Sequence, residues 1–177
     1  MSGSPAPRAF ARRARPIRLL ALDVDGVLTD GRLYYDPRGE EGKVFHVRDG
    51  VALVEAQRAG LQVAVISGRA SVAVSRRMAE LGVHEVHQGV RDKMALLSDL
   101  LRRFRLTPEE VAYMGDDLPD LRLLKAVGLA LTTANAVPEV RRVAHWVSRS
   151  PGGAGAVREA VEAILRARAA WPHPKAT

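Results

Sequence analysis

Short apolar segments alternate with amphipathic stretches of helical period from residue 17 onwards. This alternation is typical of an α/β domain, because each strand of a parallel sheet is followed by a helix that returns the chain. Segment 17–22 contains a single polar residue and no alternation of polar and apolar side chains, as expected of a strand that helices cover on both faces. The predicted strands are 17–22, 62–66, 83–87, 111–114 and 129–131, and the predicted helices are 52–59, 71–81, 92–104, 107–110 and 155–168.

One segment, residues 32–48, breaks this alternation and consists of two short β-rich pieces around the turn sequence DPRGEEG. We interpret it as a β-hairpin that directly follows the first strand and projects from the carboxyl end of the sheet. A two-stranded hairpin is only marginally stable alone, so its apolar side chains need a cover, which another subunit could supply. The predicted fold is a Rossmann-like parallel sheet with helices on both faces and a minimal cap made by this hairpin.

The length of 177 residues fits one domain with a core of its own. Residues 1–18 contain five arginines and no acid, so most of the net charge of +7 lies at the N-terminus. We predict a disordered basic arm over 1–16, a folded domain over 17–170 and a C-terminal tail over 171–177. The arm also has the composition of an organellar transit peptide, but it is short for one.

Composition excludes several classes of protein. No apolar segment approaches the roughly 18 residues that a membrane span needs, and the absence of cysteine excludes disulfides and thiolate metal sites. We therefore expect a soluble, cytoplasmic protein without a membrane partner. A basic arm can bind nucleic acid non-specifically, and deletion of 1–16 would then abolish that binding. The almost neutral remainder of the chain argues against nucleic acid as a partner.

Polar clusters follow four of the predicted strands at their carboxyl ends, the edge at which open α/β sheets bind ligands. They are Asp23 and Asp25 after the first strand, Ser67-Gly68-Arg69 after the second, Lys93 after the third and GDDLPD, residues 115–120, after the fourth. Each cluster alone is a common turn or helix cap. Together they combine acids that can hold a divalent cation with a hydroxyl, a glycine and a lysine that can hold a phosphate, so they predict a phosphoryl-transfer site.

These four motifs, in this order, resemble the haloacid dehalogenase superfamily of aspartate-dependent phosphatases over nearly the whole chain after the arm. The resemblance implies that Asp23 attacks phosphorus to form an aspartyl phosphate, and that Asp25 protonates the leaving alcohol and later deprotonates water. It also implies Mg²⁺ bound by Asp23, the backbone carbonyl of Asp25 and the carboxylate of Asp116. Asp117 and Asp120 would orient these ligands.

The resemblance also assigns the residues that face the phosphate. Ser67 and the amide of Gly68 would hold phosphate oxygens, and Lys93 would neutralise Asp23 and the transferring group. General acid and base help contributes only ~10²–10⁴-fold, so most of the acceleration has to be electrostatic. Lysine occurs only at positions 43, 93, 125 and 175 of a chain that otherwise uses arginine, which favours a specific role for Lys93.

A closer similarity is to the minimally capped branch that removes phosphate from 3-deoxy-D-manno-octulosonate 8-phosphate. It rests on the segments DVDGVLTDG, GEEGKVFHVRDG, SGR, QGVRDK, GDDLPD and GGAGAVRE. In that branch the hairpins assemble a homotetramer and a neighbouring subunit caps the site, which implies the same role for hairpin 32–48. Arg69 and Arg77 would bind the carboxylate of the sugar acid. Two departures, Val51-Ala52 for an aromatic-Gly pair and Ala154 for an arginine, bear on the identity of the substrate.

Two other functions are open at this point. A phosphatase for another small phosphate, such as a nonulosonate 9-phosphate, would use the same four clusters, and Arg69 favours the octulosonate. A non-catalytic regulatory module similar to a receiver domain also combines a phosphate-accepting aspartate with acids, a hydroxyl and a lysine. A receiver, however, places its acid pair first and its phosphate acceptor after a later strand, whereas Asp23 and Asp25 come first here.

Overall fold

A six-stranded parallel sheet and a separate two-stranded hairpin make up the β-structure of the protein, in a computed structural model that describes residues 8–171. Two short 3₁₀ turns, Pro108–Glu110 and Leu118–Asp120, flank the strand that carries the GDDLPD cluster. In chain order the other elements are α1 (Arg8–Ala14), β1 (Leu19–Leu22), β2 (Tyr34–Tyr35), β3 (Glu41–Gly42), α2 (Val47–Arg58), β4 (Gln62–Ile66), α3 (Val72–Glu80), β5 (Glu85–His87), α4 (Lys93–Phe104), β6 (Val111–Met114), α5 (Leu121–Ala126), β7 (Leu129–Thr132), α6 (Pro138–Val143), β8 (Trp146–Val147) and α7 (Ala156–Ala167).

The strand order of the large sheet is β5-β4-β1-β6-β7-β8. The chain builds outward from β1 to β5 on one side and then returns to the other side of β1 with β6. In register, Leu22 at the end of β1 lies between Val65 of β4 and Met114 of β6. The loops that follow these three strands therefore meet at one edge, at the reversal of strand order where such sheets bind ligands.

Helices cover both faces of the sheet, as the sequence predicts. Side chains of β1 alternate between two buried clusters, with Leu20 and Leu22 in one and Leu19 and Ala21 in the other. The first cluster includes buried residues of α1, α2, α3 and α7, and the second includes those of α4, α5 and α6. The predicted strands 62–66 and 111–114 match β4 and β6 residue for residue. Strand β8 was not predicted, because two residues are too few to show a period.

The hairpin is much shorter than the predicted span of 32–48. Only Tyr34–Tyr35 pairs with Glu41–Gly42, and α2 already begins at Val47, five residues before the predicted start. The reason is local: the side chain of His46 caps this helix by accepting a hydrogen bond from the backbone N–H of Arg48. The alternating sequence KVFHV had suggested a second long strand, and that prediction was wrong.

The N-terminal segment is also ordered further than predicted. Residues 8–14 form α1 instead of a disordered arm, because Phe10 and Ala14 are buried against the domain. The ring of Phe10 lies 6.2 Å from that of Trp146 in β8. The prediction of a disordered arm over 1–16 is therefore wrong from residue 8 onwards, and residues 1–7 lie outside the described part of the chain.

The C-terminal helix α7 buries the predicted apolar stripe that includes Val157, Val161 and Ile164. Of the predicted tail 171–177, only Trp171 is described, and its ring lies 4.6 Å from the guanidinium carbon of Arg158.

Between residues 8 and 171, no helix combines the length and the apolar character that crossing a bilayer requires.

Candidate active site

The loop after β1 brings Asp23 and Asp25 to the edge of the sheet. The backbone N–H of Asp23 donates to the carbonyl of Met114 and so extends the strand pairing by one residue. The chain then turns at Gly26, whose φ is +88°. A Cβ atom at Gly26 would lie 1.9 Å from Oδ2 of Asp116. Glycine is therefore required both for the left-handed backbone and for the close approach of the two loops.

Asp120 lies at the centre of a hydrogen-bond network. Its Oδ1 accepts from Nζ of Lys93 at 2.7 Å and from the hydroxyl of Tyr113 at 2.6 Å. Its Oδ2 accepts from the backbone N–H groups of Asp116 and Asp117 at 3.1 and 3.4 Å. Asp120 is 1% exposed. Four donors therefore saturate the carboxylate of Asp120. These hydrogen bonds hold the turn after β6 close to Lys93.

Lys93 is the first residue of α4, where Asp92 caps the helix by accepting from the backbone N–H groups of Met94 and Ala95. Its ammonium lies 3.1 Å from Oδ1 of Asp23, and its side chain is only 9% exposed. Burial acts to lower the pKa of Lys93, but the charges of Asp23 and Asp120 outweigh burial and raise it above its usual value. Lys93 is therefore a permanent cation beside the predicted nucleophile.

The carboxyl groups of Asp23 and Asp116 at this edge have raised pKa values, because they are buried and lie close to other acids. Burial, with the charge of Asp120 added and that of Lys93 opposing, raises the pKa of Asp23 to about 6. Burial and the charges of Asp23, Asp120 and Asp117 raise the pKa of Asp116 to about 7. Both ordinary values are 3.8. One lysine does not compensate this many carboxylates, so a further cation would stabilise their ionised forms.

The donor set fits such a cation. Asp23, Asp116 and Asp120 each place one carboxylate oxygen within 4.8 Å of the others. Oδ1 of Asp116 is buried and has no hydrogen-bond partner among the described residues. Within that same part of the chain, no group donates to the backbone carbonyl of Asp25 either. Carboxylate and carbonyl oxygens are the ligands that Mg²⁺ prefers, and Asp120, already saturated, is suited to orienting them.

The loop after β4 offers groups for an anion. Ser67 is buried at the end of the strand, and its Oγ accepts from the backbone N–H of Arg69. The backbone of Ser67 is held on both sides, because its N–H donates to the carbonyl of His87 and its carbonyl accepts from Val90. Across residues 8–171, no acceptor engages the N–H of Gly68, which leaves that donor available to a phosphate oxygen.

Asp25 faces the hairpin instead of the acid cluster. Nζ of Lys43 lies 2.5 Å from its Oδ1 and 2.9 Å from Oε1 of Glu41, and the Lys43 side chain is 1% exposed. Burial acts to lower the pKa of Lys43, but contacts with Asp25 and Glu41 raise it. Glu41 also forms an ion pair with Arg69. Sequence reasoning missed Lys43 and Glu41, and the scarcity of lysine in the chain was the signal that could have found Lys43.

The side chains of two predicted residues bond to partners outside this network. Arg77 is on α3, where it pairs with Glu80 and fills the space next to Gly50 of α2, so that a Cβ there would lie 2.3 Å from its Nη2. Among residues 8–171, no predicted site residue forms an ion pair or a side-chain hydrogen bond with Arg77. Asp117 is exposed, and its side chain caps the following turn by accepting from the backbone N–H of Leu118.

The GGAG segment before α7 supports the loop after β1. The N–H of Gly153 donates to the carbonyl of Val27, and a Cβ at Gly152 would lie 1.8 Å from the carbonyl oxygen of Gly26. The N–H of Gly152 donates to Oδ1 of Asn135. Ala154, one of the two departures in sequence, is exposed. The glycines therefore act on the nucleophile loop by packing, which the sequence motif alone did not reveal.

Several known proteins have sequences similar to this chain. A sequence model of haloacid dehalogenase-like hydrolases matches residues 84–160. The chain is 45% identical over 164 residues to the 3-deoxy-D-manno-octulosonate 8-phosphate phosphatase KdsC of Escherichia coli, covering 93% of this chain and 87% of that protein.

Two crystal structures extend the similarity to the fold. The 3-deoxy-D-manno-octulosonate 8-phosphate phosphatase of Moraxella catarrhalis, in complex with magnesium ion, phosphate ion and a KDO molecule, superposes with a TM-score of 0.88 at 39% identity, covering 90% of this chain and 92% of that chain. The corresponding phosphatase of Yersinia pestis superposes with a TM-score of 0.90 at 41% identity, covering 92% of this chain and 88% of that chain.

Proposed function

The chain belongs to the haloacid dehalogenase-like hydrolases, and from that membership we propose that it hydrolyses 3-deoxy-D-manno-octulosonate 8-phosphate to the free sugar acid and phosphate. It is a magnesium-dependent phosphoric monoester hydrolase. The observation that carries the proposal is that Asp23 lies 3.1 Å from the ammonium of Lys93 and within 4.8 Å of carboxylate oxygens of Asp116 and Asp120. A relative at 45% identity carries this substrate in its name.

In the first step, a carboxylate oxygen of Asp23 attacks phosphorus and the bond to the sugar oxygen breaks, while Asp25 gives its proton to that oxygen. In the second step, Asp25 takes a proton from water, whose oxygen attacks the same phosphorus and releases phosphate and Asp23. The ion pair of Asp23 with Lys93 keeps the nucleophile ionised among other acids. The two aspartates thus divide nucleophilic and acid–base work between them.

The phosphoryl oxygens need positive charge and donors at each stage. Lys93 supplies the charge from one side, and Ser67 and the N–H of Gly68 supply donors from the loop after β4. Asp23, the carbonyl of Asp25 and Asp116 would hold Mg²⁺, with Asp117 and Asp120 orienting them. The bound metal would supply charge neutralisation at those oxygens.

The carboxylate of the sugar acid distinguishes this substrate from simpler phosphate esters. Arg69 is exposed beside the loop that carries Ser67, and a guanidinium binds a carboxylate through two parallel hydrogen bonds. Arg77 would contribute only through a rearrangement, since it packs between α2 and α3. Arg69 is therefore the main candidate for recognising the sugar acid.

The exposed hairpin supports an assembly of several copies. Leu33, Tyr35 and Val44 expose about half of their surface or more, at 47%, 59% and 62%. Several exposed apolar side chains within one short segment are typical of an interaction site. A homotetramer formed through residues 32–48 would cover it and place a neighbouring subunit over the active site. The proposed setting of this assembly is the cytoplasm.

Phosphate release from a panel of esters, with and without Mg²⁺, tests the proposal. The panel contains 3-deoxy-D-manno-octulosonate 8-phosphate, a nonulosonate 9-phosphate and p-nitrophenyl phosphate. We expect the octulosonate ester to have the highest kcat/KM and Asp23→Asn to abolish turnover. Asp99→Asn, an exposed acid on α4, serves as the matched control. Turnover that survives Asp23→Asn would refute the mechanism, and preference for another ester would refute the substrate.

A further inference from the structure

Lys43 is buried at the site, yet none of the steps above gives it a role. It follows β3 in the hairpin, and its side chain is 1% exposed although its neighbours along the chain, Gly42 and Val44, are exposed. A lysine is almost never buried unless it is paired. Its environment therefore has to supply the partners, and both of those partners are carboxylates.

The contacts of Lys43 connect two ends of the site. Its Nζ lies 2.5 Å from Oδ1 of Asp25 and 2.9 Å from Oε1 of Glu41. The other carboxylate oxygen of Glu41, Oε2, forms an ion pair with Arg69. The result is a continuous chain of charges from the acid–base residue, Asp25, to the proposed carboxylate-binding residue, Arg69.

A carboxylate that transfers protons has to hold one oxygen toward the reacting group, and an aspartate on a loop can rotate about its side-chain bonds. Contact with Lys43 fixes Oδ1 of Asp25 and leaves Oδ2 for the substrate. The cost of misplacing such a group by about 1 Å can reach ~10²-fold in rate. An ammonium that is itself held by Glu41 is a suitable anchor, because neither end of the contact is free to move.

We propose that Lys43 is a positioning residue of the reaction, which holds the carboxylate of Asp25 in the orientation for proton transfer while Glu41 holds Lys43 and links it to Arg69. The inference rests on the proposed role of Asp25 as acid and base. It assigns the hairpin a function inside its own protomer, in addition to any contact between subunits.

Because Lys43 acts through Asp25 and not through binding of the phosphate, its removal should lower kcat much more than it raises KM. We expect Lys43→Met to lose about 10- to 100-fold in kcat, which is only part of the ~10²–10⁴-fold that general acid and base catalysis supplies, because Asp25 itself is still present. KM should change less than about threefold. Lys43→Gln, which keeps an N–H donor one bond closer to the backbone, should retain more kcat than Lys43→Met.

The experiment measures kcat and KM of the full-length magnesium-loaded enzyme with 3-deoxy-D-manno-octulosonate 8-phosphate and with p-nitrophenyl phosphate. Lys125→Met, which replaces an exposed lysine of α5, is the matched control. A second readout is rescue of Lys43→Ala by added ethylammonium, which can occupy the space of the missing side chain. Restored kcat would support a positioning role, because a merely structural defect would not respond to a small cation.

Two outcomes would overturn the proposal: a kcat of Lys43→Met within about threefold of the Lys125→Met control, or a lower kcat that neither Lys43→Gln nor ethylammonium improves. An error in the substrate assignment would give a result different from both of these outcomes. If the unaltered enzyme cleaves only p-nitrophenyl phosphate, the assignment to the sugar acid fails, and the same variants compared on the aryl ester still decide the role of Lys43.

Discussion

Two buried lysines of this protein each lie between two carboxylates, but different parts of the fold hold them. Lys93 lies between Asp23 and Asp120 at the edge of the central sheet. Lys43 lies between Asp25 and Glu41 and is carried by a hairpin of two residues per strand.

The first lysine is supported by elements that the core fixes. Asp120 accepts four hydrogen bonds, and β1 and β6, which bring the acids together, are fully buried. The second depends on a hairpin whose apolar side chains are exposed. In the proposed mechanism, one arrangement of charges therefore serves two purposes: the sheet edge would carry the chemical step, and the hairpin would adjust proton transfer and substrate recognition.

The largest effect should come from removing the lysine of the sheet edge. Lys93→Met leaves Asp23 and Asp120 without their shared cation, and the transferring group loses its neutralising charge. Removal of one such stabilising group costs about 10³-fold in kcat. The measurement is kcat with p-nitrophenyl phosphate at saturating Mg²⁺, compared with Lys125→Met. A loss no larger than that of Lys43→Met would break the distinction between the two regions.

A pair of glycine variants separates close packing from backbone strain. Gly26 and Gly39 both have positive φ, +88° and +81°. A Cβ at Gly26 would meet the Asp116 carboxylate at 1.9 Å, whereas a Cβ at Gly39 in the hairpin turn would meet nothing within 4 Å. Gly26→Ala should therefore lower kcat by about 10²-fold and weaken Mg²⁺ binding.

Gly39→Ala is the control, because it should cost only about 1 kcal/mol of stability from the left-handed backbone. Kinetics, magnesium titration and thermal unfolding of both variants check this prediction. Equal kinetic effects of the two substitutions would show that the contact between Gly26 and Asp116 has no functional weight.

Substitution of Arg69 tests whether the hairpin side of the site contributes to recognition of the sugar acid. Arg69→Met should raise KM for the sugar-acid ester by about tenfold, which corresponds to about 1.4 kcal/mol of lost binding. It should leave KM for p-nitrophenyl phosphate unchanged, because that ester has no carboxylate. Steady-state kinetics with both esters test this expectation. A similar rise in KM for the two esters would assign Arg69 to the phosphate instead of the sugar.

The smallest effect concerns stability and pH. Without metal, the pKa values of Asp23 and Asp116, about 6 and about 7, exceed their ordinary value of 3.8. The folded protein then retains protons that the unfolded chain releases, so its free energy of unfolding falls as pH rises between about 4 and about 7. Mg²⁺ should therefore raise the thermal midpoint more at about pH 8 than at about pH 5.

Thermal unfolding in EDTA and in Mg²⁺ at both pH values measures this difference. Asp116→Asn removes one of the charges and should reduce the magnesium-dependent rise at the higher pH. A rise in thermal midpoint that is the same at both pH values would contradict the charge balance assigned to the sheet edge.

The sequence predicted the sheet edge well because its residues follow buried strands directly. Asp23, Ser67 and Asp116 come one or two residues after β1, β4 and β6, so the period of the strands fixes their positions. Parallel pairing then brings them together without any further information. For the same reason, β4 and β6 were predicted with correct bounds.

The hairpin side could not be predicted in this way. The pairing of Lys43 with Asp25 spans 18 positions of irregular chain, and no periodicity encodes such a contact. Alternation in KVFHV suggested a strand where the cap at His46 starts a helix. At the N-terminus, five arginines indicated a solvated arm, although one aromatic side chain in the same segment, Phe10, is buried and packs α1 against the domain.

Covalent phosphorylation of Asp23 is the event on which the whole proposed mechanism depends. Its most direct test is mass spectrometry of peptides from the Asp25→Asn enzyme, acid-quenched during reaction with p-nitrophenyl phosphate and Mg²⁺. This leaving group needs no proton from Asp25, whereas hydrolysis of the intermediate does. We expect one phosphoryl group on the peptide that contains Asp23, and none when Asp23→Asn is combined with Asp25→Asn. A phosphoryl group on another residue, or turnover with none on Asp23, would contradict the claim.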